Sequence, residues 1–453
     1  MKVDVLVAEI GSTTTVVNAF TDLHTDEPVF LGQGQAPTTV LEGDVTIGLY
    51  GAINDLKSNL AVSDLSWNEM HATSSAAGGL KMTVHGLVYD MTVKAAREAA
   101  LGAGAVIKEV TAGRMRERHL KKIREIRPNI ILLAGGVDYG EEDTIISNAE
   151  LLAKLDLAVP IIYAGNVAIQ EEVKEILESS GKRVFIVENV YPNIDELNIQ
   201  PTRKVIQEVF EEHIIHAPGM TKIKELINGP MMPTPGAVME AAQLLYNYIG
   251  DLVVLDVGGA TTDVHSVSEG SLEIKDILVS PEPLAKRTVE GDLGVFINAI
   301  NLIDLIGKDL LENELGHDLD EILKERSPIP QNEQEIKFIQ ILTRNATEIA
   351  VDRHVGQLKD LYGPTGRIKI AEGKDLTRVK WIIGTGGALT RLEAGSEILE
   401  SLRKNKSKRL LPPLDARVLI DHDYIFAPIG VMGKRYPEAA INLIKESLRY
   451  NQK

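Results

Sequence analysis

Two short segments of this 453-residue sequence combine residue types that could bind phosphate. They are residues 9–14 (EIGSTT) and residues 256–262 (DVGGATT), which both run from an acid through an apolar residue to glycine and then threonine. Glycine lets the backbone approach a ligand closely, and the N–H groups and hydroxyls of such a turn can surround a phosphate. The residues that we predict to bind phosphate are Gly11, Ser12, Thr13, Thr14, Gly258, Gly259 and Thr261.

Each segment begins with a carboxylate, Glu9 in the first and Asp256 in the second. A carboxylate beside a phosphate can hold Mg²⁺, usually through the water ligands of the ion, because magnesium dehydrates reluctantly. Two such turns facing each other would hold the β- and γ-phosphates from both sides, and phosphoryl transfer depends mainly on positioning and charge neutralisation. We therefore predict ATP and Mg²⁺ as cofactors, with Glu9 and Asp256 as both metal-binding and catalytic residues.

A third segment, residues 381–388 (WIIGTGGA), predicts an apolar strand that leads through a glycine turn into a helix beginning near Leu389. Such a turn lets a planar base or a ribose lie against the backbone, close to the N-terminus of the helix. A glycine turn alone is weak evidence for a nucleotide site, whereas the three segments in this order are much more specific. The residues predicted to bind the adenosine part are Gly384, Gly386 and Gly387.

The ordered segments resemble the phosphate-1, phosphate-2 and adenosine motifs of the superfamily that contains acetate kinase, actin and the heat-shock chaperone ATPases. Within it, the sequence is most similar to the glutamate mutase L (GlmL/MutL) family, over essentially the whole chain. Besides residues 5–14, the resemblance rests on residues 133–138 (LAGGVD), 290–294 (EGDLG) and 427–431 (APIGV). The fold class that it implies is α/β, with duplicated actin-like (ribonuclease H-like) lobes.

The resemblance implies an ATP-dependent reactivating chaperone for an adenosylcobalamin-dependent mutase, in which lobe motion helps to exchange damaged cobalamin. Members of the family are encoded beside carbon-skeleton or amino mutases, so the implied partners are mutase subunits, as in glutamate mutase or an aminomutase such as ornithine aminomutase. Cobalamin would then be the cofactor of the client. The chain itself would be a slow Mg²⁺-dependent ATPase, and a homo-oligomer is compatible with this expectation.

Two other interpretations stay open at this point. One is a metabolite kinase of the same superfamily, which would need a substrate pocket with a strong base. The other is a protein that forms actin-like filaments.

The sequence departs from the patterns of related and similarly named proteins in three ways. The first motif of the superfamily usually starts with aspartate, whereas this chain has Glu9, whose longer side chain can still reach a hydrated Mg²⁺. The chain has no cysteine, so it cannot hold the cysteine-ligated iron–sulfur cluster of the related 2-hydroxyacyl-CoA dehydratase activators. Residues 256–260 do not fit the D-x-G-x-G loop of the unrelated DNA mismatch-repair MutL, and we reject that identity.

Hydrolysis needs a carboxylate or amide that can orient the attacking water. Asp138, Glu290 and Asp292 each lie in a glycine-rich turn, although acids in turns more often cap helices or bond to their own backbone. Asp138 is the predicted catalytic residue among them. Asp263, one residue beyond Thr262, is either a second acidic group of the site or a solvated strand end.

The elements around these segments predict two similar half-molecules, because the two phosphate segments lie about 250 residues apart and each joins two apolar strands. We expect a first lobe over residues 1–235, carrying an inserted α/β section at about 80–190, and a second lobe over residues 236–453. In the inserted section, β-rich runs alternate with amphipathic helices, which favours a parallel sheet covered by helices. These runs are at residues 105–111, 129–134, 160–163 and 183–187.

The second lobe should contain further strands and a helical region. Strands are predicted at residues 252–256, 262–267 and 272–278, followed by a mainly helical region at about 294–361. Residues 217–235 are rich in proline and glycine, which indicates a loop or a lobe boundary.

Composition limits the partners and the compartment. The chain has 48 Lys and Arg against 65 Asp and Glu, so its net charge is −17, and only 4% of its residues are aromatic. Nucleic-acid binders usually carry basic patches and aromatic stacking platforms, so DNA and RNA are not expected as principal partners. No uncharged apolar run reaches the roughly 18 residues of a membrane span, and no leader pattern follows Met1, so we expect no membrane partner and a cytoplasmic location.

Overall fold

The computed structural model describes most of the chain in nine segments. They are residues 1–11, 14–39, 43–75, 80–214, 222–223, 226–327, 329–363, 366–403 and 408–450. Three five-stranded sheets and one two-stranded hairpin organise these residues. Within them, no helix is both long enough and apolar enough to cross a membrane.

The first lobe begins with a three-stranded antiparallel meander, followed by a helix and a strand that pairs in parallel with the first strand. The elements are β1 (Lys2–Ile10), β2 (Thr14–Thr21), β3 (Val29–Pro37), α1 (Val45–Asn59) and β4 (Ser66–Ser74). Strand β1 is buried along Val5–Ile10, because helices cover both faces of the sheet. The Asp44 carboxylate accepts a hydrogen bond from the N–H of Thr46 and so caps the start of α1.

Residues 80–186 form a separate sheet with helices between successive strands. Its elements are β5 (Leu80–Gly86), α2 (Lys94–Gly102), β6 (Ala105–Ala112), α3 (Glu117–Ile126), β7 (Ile130–Leu133), α4 (Asp143–Ala153), β8 (Ile161–Tyr163), α5 (Gln170–Glu178) and β9 (Val184–Ile186). All neighbouring strands are parallel, and their order is β6-β5-β7-β8-β9, as in a doubly wound sheet. The four β-rich runs predicted for this section are all strands.

The chain then returns to the first lobe before it crosses into the second. Helix α6 (Gln200–Ile214) leads back, β10 (Met231–Pro233) pairs in parallel with β4, and α7 (Thr234–Ile249) carries the chain across. Part of the proline-rich stretch 217–235 lies outside the described residues, and the described part contains β10. The predicted boundary between residues 235 and 236 falls in the first turn of α7.

The second lobe repeats the sheet of the first. Its elements are β11 (Leu252–Val257), β12 (Thr262–Val267), α8 (Leu272–Lys275), β13 (Ala285–Glu290), α9 (Ala299–Ile306), α10 (Lys308–Leu315), α11 (Leu319–Glu325), α12 (Glu333–His354), β14 (Gln357–Gly363), β15 (Gly366–Glu372), β16 (Trp381–Thr385), α13 (Gly387–Thr390), α14 (Gly395–Glu400), β17 (Arg417–Ile420), α15 (Phe426–Met432) and α16 (Pro437–Ser447). The strand orders β3-β2-β1-β4-β10 and β13-β12-β11-β16-β17 have the same pattern of antiparallel and parallel pairs. The predicted duplication into two actin-like α/β lobes is confirmed.

The strand predicted at residues 272–278 is wrong. Leu272–Lys275 is the short helix α8, because the Ser271 hydroxyl accepts a hydrogen bond from the N–H of Ile274 and caps its first turn. The third strand of this meander is β13, which pairs antiparallel with β12. The region predicted as mainly helical contains α9 to α12 but ends in β14, which forms a hairpin with β15.

Helices α7 and α15 pack against each other where the lobes meet. A Cβ placed on Gly430 of α15 would overlap the carbonyl oxygen of Ala237 in α7, so the two backbones are in direct contact there. One apolar cluster surrounds this crossing and draws residues from both lobes, such as Val5 of β1 and Val254 of β11. The lobes are therefore joined by a shared core at the helix crossing.

The helix crossing predicts that Gly430→Ala destabilises the protein. The added methyl must push α7 and α15 apart, which costs about 1–3 kcal/mol in a well-packed core. Chemical denaturation should show this loss in the free energy of unfolding. Gly51→Ala in α1 is the control, because its Cβ would meet only the Ala36 Cβ, at 3.0 Å, and alanine favours the helix. Equal losses in the two variants would contradict the close contact at Gly430.

Candidate functional site

The two glycine–threonine turns have the same geometry. The N–H of Gly11 donates to the carbonyl of Thr14 at 3.0 Å, and the N–H of Gly258 donates to the carbonyl of Thr261 at 2.9 Å. A Cβ on Gly11 would lie 2.6 Å from the Thr14 oxygen, so this turn requires glycine. The predicted residues Ser12 and Thr13 lie outside the described residues.

Both turns line one cleft of about 930 Å³ between the lobes. The cleft has a carboxylate at the base of each turn. These are Glu9 and Asp256, the penultimate residues of the central strands β1 and β11. The predicted residues that it brings together are Glu9, Gly11, Thr14, Asp256, Gly258, Gly259, Thr261 and Gly387.

The second turn is fixed from behind by the segment that follows β13. The carbonyls of Gly258 and Gly259 accept hydrogen bonds from the N–H groups of Val295 and Phe296, at 3.2 and 2.9 Å. Asn298 Nδ2 donates to the Ala260 carbonyl at 2.7 Å. The N–H groups of Gly259 and Ala260, in contrast, have no acceptor among the described residues. The turn therefore offers donors to the cleft, as a phosphate site requires.

Glu9 is buried at the base of the first turn, with 7% of its surface exposed. Its Oε1 accepts a hydrogen bond from the Tyr424 hydroxyl at 3.0 Å, and its buried Oε2 has no partner in the described part of the chain. Burial raises the pKa of Glu9 to about 7, although the Tyr424 hydrogen bond lowers it, while Asp421 raises it and Arg391 lowers it. The carboxylate thus keeps one oxygen available for a cation or its water.

Asp256 faces the same cleft from the second lobe. Burial raises its pKa to about 8, with further contributions from the negative charges of Asp263 and Glu9, and Arg287 opposes them. Its carboxylate makes no hydrogen bond or ion pair with the residues that the structure describes. Two acidic groups thus repel each other at the base of the cleft, and a cation between them would relieve this repulsion.

The acidic groups fit a hydrated Mg²⁺ better than a directly coordinated metal. In the described segments, no group of three Asp, Glu or His side chains could hold a metal ion. The unpartnered Oε2 of Glu9 and the carboxylate of Asp256 can accept hydrogen bonds from metal-bound water instead, as Mg²⁺ prefers to keep its waters.

Asp263 is part of the site as one half of a buried ion pair and is not a solvated strand end. Its Oδ1 lies 3.0 Å from Arg287 Nη2, and its Oδ2 accepts a hydrogen bond from the Thr261 hydroxyl at 3.3 Å. Arg287 also donates to the carbonyls of Leu101 and Ala105, at 3.0 and 3.2 Å. The ion pair therefore links the second phosphate turn to the inserted section.

The three glycines of the adenosine segment have different surroundings. Gly387 lines the cleft, whereas neither Gly384 nor Gly386 is among the described residues that do. Gly386 has φ +84°, and its Cβ would lie 2.6 Å from Asp256 Oδ1, so glycine is needed for this turn to rest on β11. A Cβ on Gly384 would lie 2.7 Å from Leu399 Cδ1 in the core. The other wall of this half of the cleft comes from the first turns of α12, including Lys337 and Gln340.

The candidates for activating water are held by other contacts, although Glu290 and Asp292 flank Gly291, which lines the cleft. Asp138, in the loop after β7, accepts hydrogen bonds from the Val167 N–H at 3.0 Å and from Asn189 Nδ2 at 2.8 Å. Glu290 and Asp292 are ion-paired with Arg353, at 2.7 and 2.8 Å. None of the three acids is among the described residues that line the cleft. Asp138 instead ties the loops that follow β7, β8 and β9 together.

Two site residues that the sequence pattern does not reveal connect the lobes across the cleft. Arg391 Nη1 donates to Gln35 Oε1 at 2.6 Å, and the guanidinium lies 5.9 Å from the centre of the Tyr424 ring. Tyr424 has φ +53°, a conformation that costs free energy for a residue with a side chain. Neither residue lies within a phosphate segment. The only signal for either is the strained backbone at Tyr424, which is visible only in the structure.

The raised pKa values predict that ionisation of Glu9 and Asp256 destabilises the nucleotide-free protein. As the pH rises, the unfolded chain releases these protons near the ordinary values of 4.5 and 3.8, whereas the folded chain holds them until about pH 7 and 8. The fold therefore loses stability between about pH 4 and 8. Asp256→Asn should raise the free energy of unfolding at pH 8 by about 2 kcal/mol and leave it unchanged near pH 4, as measured by urea unfolding.

Asp292→Asn is the matched control for this pH dependence. The hydrogen bonds from Arg353 hold the pKa of Asp292 below its usual value, so its ionised form stabilises the fold. This variant should not gain stability at pH 8. A loss of stability at pH 8 in Asp256→Asn would show that Asp256 is not a destabilising buried charge.

Comparisons with known proteins extend over nearly the whole chain. A sequence model of the family described as "MutL protein" matches residues 5–448. "Protein MutL" of Clostridium tetanomorphum is 37% identical over 459 residues, which cover 98% of this chain and 98% of that protein.

Two solved structures are similar at low sequence identity. Nucleotide-free acetone carboxylase has a TM-score of 0.38 and 12% identity, covering 95% of this chain and 70% of that one. The nucleotide-free diol dehydratase-reactivating factor also has a TM-score of 0.38, with 10% identity, covering 96% and 99%. At these scores the two likenesses carry no argument about function. The sequence matches alone establish that this chain belongs to the MutL family, that of glutamate mutase L and not of DNA mismatch repair.

Proposed function

We propose that the chain binds Mg²⁺·ATP between its lobes, hydrolyses it slowly, and uses the resulting lobe motion to reactivate an adenosylcobalamin-dependent mutase. The observation that carries the nucleotide part of this proposal is the pair of equivalent turns, Gly11–Thr14 and Gly258–Thr261, that line one cleft with a carboxylate at the base of each. A single phosphate turn has many uses in proteins, whereas two related turns in one cleft can hold adjacent phosphates from both sides.

The described residues divide into separate tasks in this proposal. The N–H groups of Gly259 and Ala260 would donate to phosphate oxygens, and the first turn would approach from the other lobe. Glu9 and Asp256 would hold a hydrated Mg²⁺ through its waters. When bound, the ion would neutralise charge that develops on the transferred phosphoryl group. Gly387 and the first turns of α12 would contact the adenosine part.

Lobe motion provides a physical route from nucleotide to client. A nucleotide can shift the equilibrium between two lobe arrangements only if it binds them with different affinities. ATP and ADP differ by the γ-phosphate, so contacts with this group would have to provide the difference. The polar contacts of Arg391 with Gln35 and of Tyr424 with Glu9 span the cleft, so a change of lobe angle would have to remake them. The shared core at α7 and α15 would serve as the pivot.

The client is proposed from the MutL family membership. Members of this family are encoded beside cobalamin-dependent mutases. We therefore propose that the partners of this chain are mutase subunits, as in glutamate mutase or an aminomutase. Cobalamin is proposed to be the cofactor of the client, as the resemblance implies.

The ATPase part predicts slow phosphate release from Mg²⁺·ATP by the purified protein without any acceptor. Asp256→Asn should reduce this release at least 100-fold, because it removes a charge that would position Mg²⁺. Asp138→Asn should stay within about twofold of the wild type, since Asp138 lies away from the cleft. A steady-state phosphate assay checks all three proteins. No release by the wild type would rule out a stand-alone ATPase and leave a kinase, a partner-stimulated chaperone or a filament-forming protein.

The chaperone part predicts recovery of an inactivated mutase. Glutamate mutase blocked by cyanocobalamin should regain activity on incubation with this protein, Mg²⁺·ATP and fresh adenosylcobalamin. The recovery should be absent with Asp256→Asn or with a non-hydrolysable ATP analogue, and an aminomutase is the second client to assay. If the protein hydrolyses ATP but restores neither enzyme, the ATPase part stands and the choice of client is wrong.

A further inference from the structure

Thr234 is a polar residue of the cleft that belongs to neither phosphate turn. It is the first residue of α7, it lines the cleft, and only 7% of its surface is exposed. Its hydroxyl is buried and has no hydrogen-bond partner among the described residues. A buried hydroxyl without a partner is costly, so it marks a place where a ligand could supply the missing hydrogen bond.

The register of the first sheet places Thr234 at the phosphate end of the cleft. Ile10 of β1 pairs with Ser74 of β4, and Ser74 in turn pairs with Pro233 of β10. The three strands are parallel and end at one edge, where the first turn begins at Gly11. With parallel strands about 5 Å apart, Thr234 follows the end of a strand roughly 10 Å from β1.

The N-terminus of α7 favours an anion at this position. The helix is 16 residues long, and its N-cap, Pro233, provides no side-chain hydrogen bond to the first turn. The helix dipole places partial positive charge at such an end, which stabilises a nearby phosphate.

The inserted section brings a cation to the same cleft. Gly104, just before β6, has φ +98°, and its Cβ would lie 2.7 Å from Pro233 Cβ, so this section lies directly against the start of α7. Strand β6 then carries Lys108, whose exposed side chain lines the cleft. An ammonium group and a helix N-terminus in one cleft both match the charge of a phosphoryl group.

We infer that Thr234, the N-terminus of α7 and Lys108 form a binding site for a phosphoryl group, either the terminal phosphate of a bound nucleotide or inorganic phosphate released from it. This inference rests on the proposed nucleotide function. It adds that the inserted section contacts the phosphate that distinguishes ATP from ADP. The nucleotide state is thereby sensed outside the two lobes, through Lys108.

The test is a comparison of nucleotide affinities by isothermal titration calorimetry, with Mg²⁺ present throughout. Thr234→Val keeps the shape of the side chain and removes its hydroxyl. It should weaken binding of the non-hydrolysable analogue AMPPNP about tenfold, the effect of one lost hydrogen bond to a charged group, and change ADP binding less than twofold. Lys108→Met should give the same selective loss, and Thr234→Ser should bind like the wild type.

Thr202→Val is the matched control, because Thr202 of α6 is also fully buried with an unpartnered hydroxyl but does not line the cleft. It should leave both affinities unchanged. A selective AMPPNP loss in this control, an equal loss of both nucleotides in Thr234→Val, or no loss at all would overturn the site. Wild-type protein that binds neither nucleotide would instead overturn the proposed function, and this site with it.

Inorganic phosphate separates the two sources of the phosphoryl group. If added phosphate tightens ADP binding by the wild type but not by Thr234→Val, the site also accepts free phosphate. If phosphate has no effect while AMPPNP binding is selectively lost, the site takes the phosphoryl group only as part of the nucleotide. Should Thr234→Val fail to fold, Lys108→Met provides the same comparison. If Lys108→Met does not weaken AMPPNP binding more than ADP binding, the site is overturned.

Discussion

The structure depends on two acidic side chains, Glu9 and Asp256, that lie at the base of one cleft. Burial raises the pKa of Glu9 to about 7, with a contribution from the charge of Asp421, and burial with the charges of Asp263 and Glu9 raises the pKa of Asp256 to about 8. The ligand-free cleft is therefore an unfavourable place for both charges. The fold tolerates this cost because the carboxylates lie at the ends of β1 and β11, whose residues belong to the apolar clusters of the protein. A charge that is costly without a ligand becomes favourable when a cation arrives, and in the proposed function this difference would couple metal and nucleotide to the relative position of the lobes.

Much of the fold and half of the site follow from local sequence. The turns at Gly11 and Gly258 were predictable because an apolar strand, glycine and threonines within six or seven residues determine a hairpin almost alone, and the alternation of strands and helices predicts the inserted sheet. Tyr424 and Arg391 were not predictable, since Tyr424 contacts Glu9 across 415 positions of chain and no short pattern encodes such a contact.

At residues 272–278 the local pattern itself gave the wrong prediction. Their apolar alternation suits a strand, but Ser271 caps a helix and Leu272 stays 77% exposed. Gly384 and Gly386 show a further limit, because glycine is required there by packing against Leu399 and Asp256, and sequence alone cannot separate that need from ligand contact.

The inserted section is covalently continuous with the first lobe, but it also makes hydrogen bonds and an ion pair with the second lobe. Arg203 of α6, the helix that follows the inserted section, is buried and donates to the carbonyl of Ala285 at the start of β13. Lys94 of α2 is ion-paired with Glu282 at 2.6 Å, and Arg287 joins the same strand to the end of α2. These bonds cover the edge of the second sheet, which would otherwise expose unpaired backbone groups. Because removing one partner of such a buried pair leaves an uncompensated charge, they resist separation more strongly than surface ion pairs do.

The two kinds of interlobe contact differ in what it costs to change them. On the open side of the cleft, the hydrogen bonds of Arg391 and Tyr424 are partly exposed, and water can replace each for a net loss of about 1 kcal/mol. At the crossing of α7 and α15, separation would expose apolar residues such as Val238 and Ile429, each worth about 2 kcal/mol when buried. The lobe movement that we propose would therefore exchange the polar contacts and conserve the apolar ones. The proposed motion would be a rotation about the Gly430 contact that opens or closes the cleft at its Tyr424 side. The inserted section shares an apolar core with the first lobe and is also bonded to β13, so it would restrain this rotation.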